Sequence, residues 1–531
     1  MPDVRSRPTD RMVAPTMREG EASSGNGERS PRQIHVLMLA VMTGMFLAAI
    51  DGTIVITALP AMVGELGNLS QAPWITVGFL LTQTIATPII GKLSDIYGRK
   101  RTFQLAIVAF LASSVACGLA QEMTQLVVLR GIQGIGAGGL LSLPMAIVGD
   151  ILPPAQRARY QGYIAGTFAL ASLLGPLAGG FFVDYLNWRW VFFVNLPIGA
   201  VSMFIVHKRL HLTRARTSRA VDYAGAVTLT IATTPLVIAL LYAGDEYGWG
   251  SRPTVALFAL AAAGAAVFLA VEHRAVDPIL PLGLFSNRIV RPTMIGGFVS
   301  GIGLYGVTSF VSLFLQVVDG VSATVAGLLT APNMLAVLIA SIVSGRLIAR
   351  TGDYKPYPVL GALMLALGAV LLATMDADTG PAGVSLRLAL TGLGIGQIGP
   401  SITIIVQNAV DYRDLGVATA GLSFIRSLGG SIGVAVIGAF YASELNERIE
   451  RYVGPEGMAM VPDPSALQGQ PSTIRDLPEP VRSRVLEAFA DAITHAMWIA
   501  VPVLIVTAVI FGMIPRIPLR DAHTPMSPAV E

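Results

Sequence analysis

The chain has 531 residues, of which 13% are charged and 53% hydrophobic, with a mean hydropathy of +0.65. Globular proteins carry roughly 25% charged residues, so this composition excludes a soluble enzyme, a disordered scaffold and a nucleic-acid module. The formal charge of +3 conceals an uneven distribution, and a single cysteine, Cys117, excludes an internal disulfide and a thiolate metal cage.

Residues 1–33 are polar and hold six arginines. They lack the short apolar core of a secretory signal and read as a disordered cytoplasmic tail. A membrane-spanning helix needs roughly 20 mainly apolar residues. Fourteen such stretches follow, near 34–60, 73–91, 102–120, 125–149, 160–182, 190–207, 222–243, 254–272, 292–316, 323–345, 357–375, 386–408, 416–441 and 493–514. Lipid cannot satisfy backbone polar groups, so each is expected to be a helix. The fold class is an all-α integral membrane protein.

Cytoplasmic loops are rich in Lys and Arg. With both termini inside, 26 of the 36 basic residues fall in the tails and loops of one side. The short loops of the other side hold only Arg189, Arg252 and Arg387. A long final outer loop, 442–492, holds five basic and nine acidic residues. Arg130 and Arg426 remain inside spans. This alternation predicts a multi-pass protein of the cell's inner (plasma) membrane with both termini cytoplasmic and a second cytoplasmic tail at 515–531.

Two basic loops resemble each other. Gly91-Lys92-Leu93-Ser94-Asp95-Ile96-Tyr97-Gly98-Arg99-Lys100-Arg101 follows span 2, and Gly345-Arg346-Leu347 to Gly352-Asp353-Tyr354-Lys355 follows span 10. Two six-span halves would place the second after span 8. The surplus is one pair of spans, so the expected plan is a half at 34–207, an inserted pair at 222–272 and a half at 292–514.

On these residues the chain resembles the major facilitator superfamily, and within it the fourteen-helix drug:proton antiporter branch. Span 1 carries Ile50-Asp51-Gly52-Thr53-Ile54-Val55-Ile56-Thr57-Ala58-Leu59-Pro60, span 4 carries Arg130-Gly131-Ile132-Gln133-Gly134-Ile135-Gly136, and span 5 carries Gly175-Pro176-Leu177-Ala178-Gly179-Gly180. Trp188 to Gly199 and Asp277-Pro278 also fit. The branch has Leu where this chain has Ile50, and Asn-Val where it has Ile56-Thr57. The resemblance covers roughly 34–515. It implies two six-helix bundles and two extra helices, exporting drugs against protons.

Asp51 is the one acid placed clearly inside a span. Burial favours the neutral acid and a nearby cation favours the carboxylate, so alternation between the two suits a proton site. A structural acid capping a neighbouring helix is the other reading. Arg130 enters span 4 at a similar depth, and is read as the partner of Asp51, as a static salt bridge, or as an arginine reaching the outer surface. Gln133, one turn on, is expected to line the substrate cavity. Arg426 lies near mid-membrane, as a substrate contact or a structural tie. Gly91, Lys92, Asp95, Gly98 and Arg99 form a gating motif, with Asp95 clasping Arg99 or the other half; anchoring by positive charge alone is the alternative. Gly175 and Pro176 are expected to kink span 5, while Gly179 and Gly180 permit close packing.

No phosphate loop, HExxH metal motif or nucleophile triad is present. No cofactor is expected, and energy is expected from a proton gradient. The reading is a monomeric, non-enzymatic, proton-coupled efflux transporter for amphipathic or lipophilic, cationic compounds, with small molecules, protons and the bilayer as partners. Two alternatives are a dedicated exporter of one antibiotic, metabolite or lipid, and a membrane receptor or scaffold without flux.

Overall fold

A computed structural model describes residues 31–67, 71–152, 154–210, 222–245, 248–411, 414–458, 474 and 477–519. Fourteen of its helices are long and apolar enough to cross a membrane. Spans 1–6 are Ile34–Leu59, Trp74–Tyr97, Arg99–Gly118, Met123–Ile151, Gly162–Tyr185 and Trp190–Arg209. Spans 7 and 8 are Tyr223–Leu240 and Arg252–Arg274. Spans 9–14 are Val290–Val317, Val325–Thr351, Pro356–Ala373, Pro381–Ala409, Leu415–Gly454 and Val481–Gly512.

The two halves have separate cores. In the first, span 4 packs on spans 2 and 3, and span 1 packs on spans 5 and 6. Its apolar side chains form two clusters along the membrane normal. One contains Leu37, Met45, Leu47, Phe103 and Phe110, and the other Ile54, Met62, Leu126 and Phe192. In the second half one continuous cluster joins spans 9–14. Glycines set the closest approaches. A Cβ on Gly136 would lie 2.7 Å from Phe110 N, and one on Gly138 would lie 2.8 Å from Gln83 O.

Several boundaries move. Of the expected tail 1–33, residues 1–30 lie outside the described part, and Pro31 already opens the first helix. The helix of span 13 runs from Leu415 to Met458, and that of span 14 opens at Val481. The expected loop 442–492 is therefore helical over most of its described length. Its charges explain why: Arg448 pairs with Glu444 at 2.9 Å and Arg451 with Glu447 at 2.5 Å, one turn apart. Arg448 and the Tyr452 hydroxyl then reach Asp491 on the facing helix. Of 515–531, residues 515–519 are described, and Pro515 O accepts from the Tyr354 hydroxyl at 3.2 Å.

Spans 7 and 8 pack on each other, and span 7 touches spans 2 and 13. The pair thus sits on the outside of a seam between the halves. Spans 5 and 10 form the other seam.

Candidate functional site

Asp51 lies eight residues before Leu59, about 12 Å from that end of span 1 by helix rise. Arg130 lies seven residues after Met123, about 10 Å into span 4 from the same side. The two meet. Arg130 Nη1 donates to Asp51 Oδ2 at 2.5 Å, with Asp51 0% and Arg130 1% exposed. Gln133 Nε2 donates to Asp51 Oδ1 at 3.0 Å, and its Oε1 accepts from Arg130 Nη1 at 2.8 Å. Gln133 is fully buried. It closes this cluster and does not line a cavity as expected; three residues on from Arg130, it shares that helix face.

Asn195 completes the shell, its Nδ2 donating to Asp51 Oδ1 at 2.8 Å and to Ser114 Oγ at 3.0 Å. Pro197 cannot donate to the Phe193 carbonyl. Span 6 accordingly breaks at Val194, and Asn195 opens its second helical piece. Asn195 Oδ1 is buried and has no hydrogen-bond partner among the described residues. The Arg130 guanidinium stacks 4.1 Å from the Phe79 ring centroid, and its Nε donates to Ile75 O at 3.2 Å. The polar cluster sits between the two apolar clusters of the first half, where charge needs a full set of partners.

The antiporter-type motif packs one turn away. A Cβ on Gly175 would run into Thr53, and one on Gly179 would lie 2.9 Å from Ile54 O. Thr53 Oγ1 donates to Ile50 O at 3.0 Å and to Ala171 O at 3.2 Å. Pro176 instead faces Gly327 of span 10, across the other seam. Gly180 faces open space. The helix runs on through Gly175 and Pro176, so the proline lies inside span 5 without ending it.

The gating motif is helix, not loop. Span 2 continues to Tyr97 and span 3 starts at Arg99. Gly98 alone turns the chain, at φ 94°, where a side chain would be strained. Arg99 Nη1 meets Asp95 Oδ1 at 2.5 Å, and its Nε meets Asp150 Oδ2 at 2.9 Å. Sequence reasoning missed Asp150, which looks like the end of an apolar span. Gly416 of span 13 lies hard against this pair: its Cβ would sit 2.6 Å from Asp95 Oδ1. A Cβ on Gly91 would sit 2.7 Å from Ala420 Cβ. Lys92 Nζ lies 3.9 Å from Asp277 Oδ1, beyond span 8. Gln407 Nε2 of span 12 donates to Met145 O of span 4 at 3.3 Å. The halves are thus closed on each other at the basic ends of the spans.

At the opposite ends a third group ties spans 1 and 6. Arg189 Nη1 meets Glu65 Oε1 at 2.6 Å, and Trp188 Nε1 donates to Glu65 Oε2 at 2.7 Å. These bonds hold the Glu65 carboxyl below its usual range. Arg426 stands apart from every other site residue, half-buried on span 13.

Comparison with known proteins follows the same lines. The family model described as Major Facilitator Superfamily matches residues 41–434. The multidrug transporter protein MdtP of Bacillus subtilis is 39% identical over 416 residues, 78% of this chain and 76% of that protein. Multidrug resistance protein 3 of the same organism is 32% identical over 480 residues, 89% of this chain and 93% of that protein. Among solved structures, the human organic anion transporter MFSD10 superposes with a TM-score of 0.61 at 16% identity, covering 89% of this chain and all of that one. At that identity the likeness concerns the fold alone.

Proposed function

The chain belongs to the major facilitator superfamily, and from that premise we propose that it is a proton-driven exporter of amphipathic, lipophilic compounds. The protein is a transporter and not an enzyme. The names of its relatives, multidrug transporter and multidrug resistance protein, support drug efflux. Spans 1–6 and 9–14 would rock about the substrate in alternating access. The basic ends of the spans are read as cytoplasmic, in the inner membrane, with the chain acting as a monomer. The face closed by Asp95, Arg99 and Gly416 is then the cytoplasmic gate, and the resting molecule is shut to the cytoplasm.

The observation that carries this reading is the sealed carboxylate of Asp51 with three N–H donors around it. As a carboxylate, Asp51 is neutralised by Arg130 and held by Gln133 and Asn195. A proton arriving from outside converts it to an O–H that needs an acceptor. Asn195 Oδ1 is a buried acceptor without a partner, and a turn of that amide presents it. Arg130 is then left without its counter-charge, which is costly in the bilayer interior, and the cluster must rearrange. Thr53, two residues on, passes the rearrangement to the Gly175–Gly179 face of span 5.

The test is gradient-driven efflux in energised vesicles. Asp51→Asn keeps the shape and removes the titration. It is expected to abolish uphill export while the purified protein stays monodisperse. Export at the unsubstituted rate in Asp51→Asn would sink the proton role. A substrate panel separates broad efflux from a single-compound exporter, and absence of any flux would leave a receptor or scaffold.

A further inference from the structure

Two arginines buried in the spans, Arg99 and Arg130, are each paired with a carboxylate. Arg426 is not. It lies eleven residues into the span 13 helix, about 16 Å from Leu415. Its guanidinium has no hydrogen bond, ion pair or ring contact among the described residues. Spans 9 to 12, and span 13 as far as Ser443, contain no acidic residue. An arginine cannot shed its proton, and a lone charge at this depth is costly. The structural tie that the sequence also allows is absent among the described residues.

Packing aims this charge inward. Phe424 turns to the extra pair, where it joins Leu229, Phe268 and Leu280, and Leu428 packs against the same cluster. Arg426 occupies the other face of the helix. Its carbonyl lies against Gly301 of span 9, and its Nη1 reaches span 12, 3.4 Å from where a Cβ on Gly399 would sit. Span 13 also touches spans 2 and 4 of the first half. The guanidinium therefore lies between spans 13 and 12, on the side of span 13 away from the inserted pair.

We propose that Arg426 anchors an anionic group, a carboxylate or related oxyanion, on the exported compound. The proposal rests on the efflux reading above and names the substrate class. The guanidinium fork matches a carboxylate with two parallel hydrogen bonds. In the first half, the charge of Asp51 is already cancelled by Arg130, so it offers no attraction to a cation. Among the described residues Arg426 is an uncancelled positive charge deep in the second half, and protonation of Asp51 adds another in the first. Such a field selects anionic or zwitterionic amphiphiles over the purely cationic ones expected from the sequence.

The experiment places a reporter, Ser423→Cys, one turn before Arg426 on the same face. The native Cys117 is buried and gives the unlabelled baseline. Labelling rates are compared for an anionic sulfonatoethyl and a cationic trimethylammonioethyl methanethiosulfonate, with the protein in phosphatidylcholine nanodiscs. The anionic reagent is expected to be favoured, and Arg426→Gln to lower the anionic-to-cationic ratio about tenfold. Arg426→Lys keeps the charge and is expected to keep most of the ratio. An unchanged ratio in Arg426→Gln, or a reporter that neither reagent reaches, overturns the proposal. A second arm adds 2-naphthoate or 2-naphthamide, of which only the acid is expected to slow labelling. Equal effects, or no protection by the acid, also overturn it. Protection that arises only when phosphatidylglycerol is added would assign the charge to a lipid head group and remove the substrate site. Every arm reads an unenergised protein, so failure here leaves proton-driven export standing. Export at the unsubstituted rate by Asp51→Asn would sink the proton role and would leave the ratio read in the unsubstituted protein as it is.

Discussion

At the scale of single residues, depth in the bilayer decides what meets. Asp51 and Arg130 enter from the same side to similar depths, and each is too costly to leave alone in lipid. Their similar depth is legible from span edges and helix rise, and their pairing is one of three readings that this depth allows. The neutral members of the cluster are not legible. Asn195 stands near the start of span 6, where an asparagine is unremarkable, and only the neighbouring Pro197 hints at a break that turns it inward. A cavity position for Gln133 overlooks the number of donors that a buried Asp51 needs. That count yields a prediction. Asn195→Ala removes one donor to Asp51 and, among the described residues, the unpartnered acceptor beside it. The loss of one such buried hydrogen bond costs about 1–3 kcal/mol. Proton release on substrate addition is expected to fall about tenfold or more, while Ser114→Ala, one bond further out, has a smaller effect. Release measured with a pH dye in weakly buffered detergent checks the order; equal effects would deny Asn195 its place in the proton step.

At the scale of elements, the number of spans was legible because composition alone sets it. The ends were not, because helices continue past the membrane wherever their charges pair along one face. Span 13 extends beyond the lipid on Arg448–Glu444 and Arg451–Glu447. Span 2 continues through the motif that reads as a loop, and Gly98 alone makes the turn. The role of Gly416 was equally hidden, since nothing in its local sequence says which helix will face it. Its structural position is demanding. The Asp95–Arg99 pair lies where its side chain would be, so Gly416→Ala must push the clasp away. Overpacking of this kind costs about 1–3 kcal/mol, and the cost falls only on the closed state. The expected result is a shift of roughly tenfold or more toward the inward-open form. Spin-label distances between the basic ends of spans 2 and 13 would report it. Asp95→Asn and Arg99→Ala are expected to move the same distance in the same direction, and an unmoved distribution in all three would leave the motif with membrane anchoring only.

At the scale of the whole molecule, the two halves need nothing from the inserted pair to build their cores. The three large apolar clusters contain no buried residue from spans 7 or 8. The pair instead joins span 13 through a small cluster around Leu229, Phe268 and Phe424. It joins span 2 through span 7 and through the chain leaving span 8, where Lys92 meets Asp277. Lys92 belongs to the gating motif, and Gly91 beside it touches Ala420 of span 13. The pair therefore grips the gate from outside, at the seam where spans 2 and 13 must part when the transporter opens inward. Glu272, 2% exposed, accepts from the backbone of Ile279 and Leu280 and fixes the turn that presents Asp277. Reversing the charge with Lys92→Glu sets a new carboxylate beside Asp277 and near Glu272. Like charges at such spacing repel, and the partial burial limits screening. The extra pair is then expected to loosen from span 2, with efflux falling several-fold. The companion Asp277→Lys alone sets two cations together and is expected to be similarly harmful. Combining the two restores an opposite-charge contact in reverse, so efflux is expected to recover most of the loss. Recovery isolates the contact itself, because each single substitution also disturbs whatever else its residue touches. A double variant no better than the worse single one would mean that Lys92 serves the gate through its own half, and that the inserted helices ride on the transporter without bracing it.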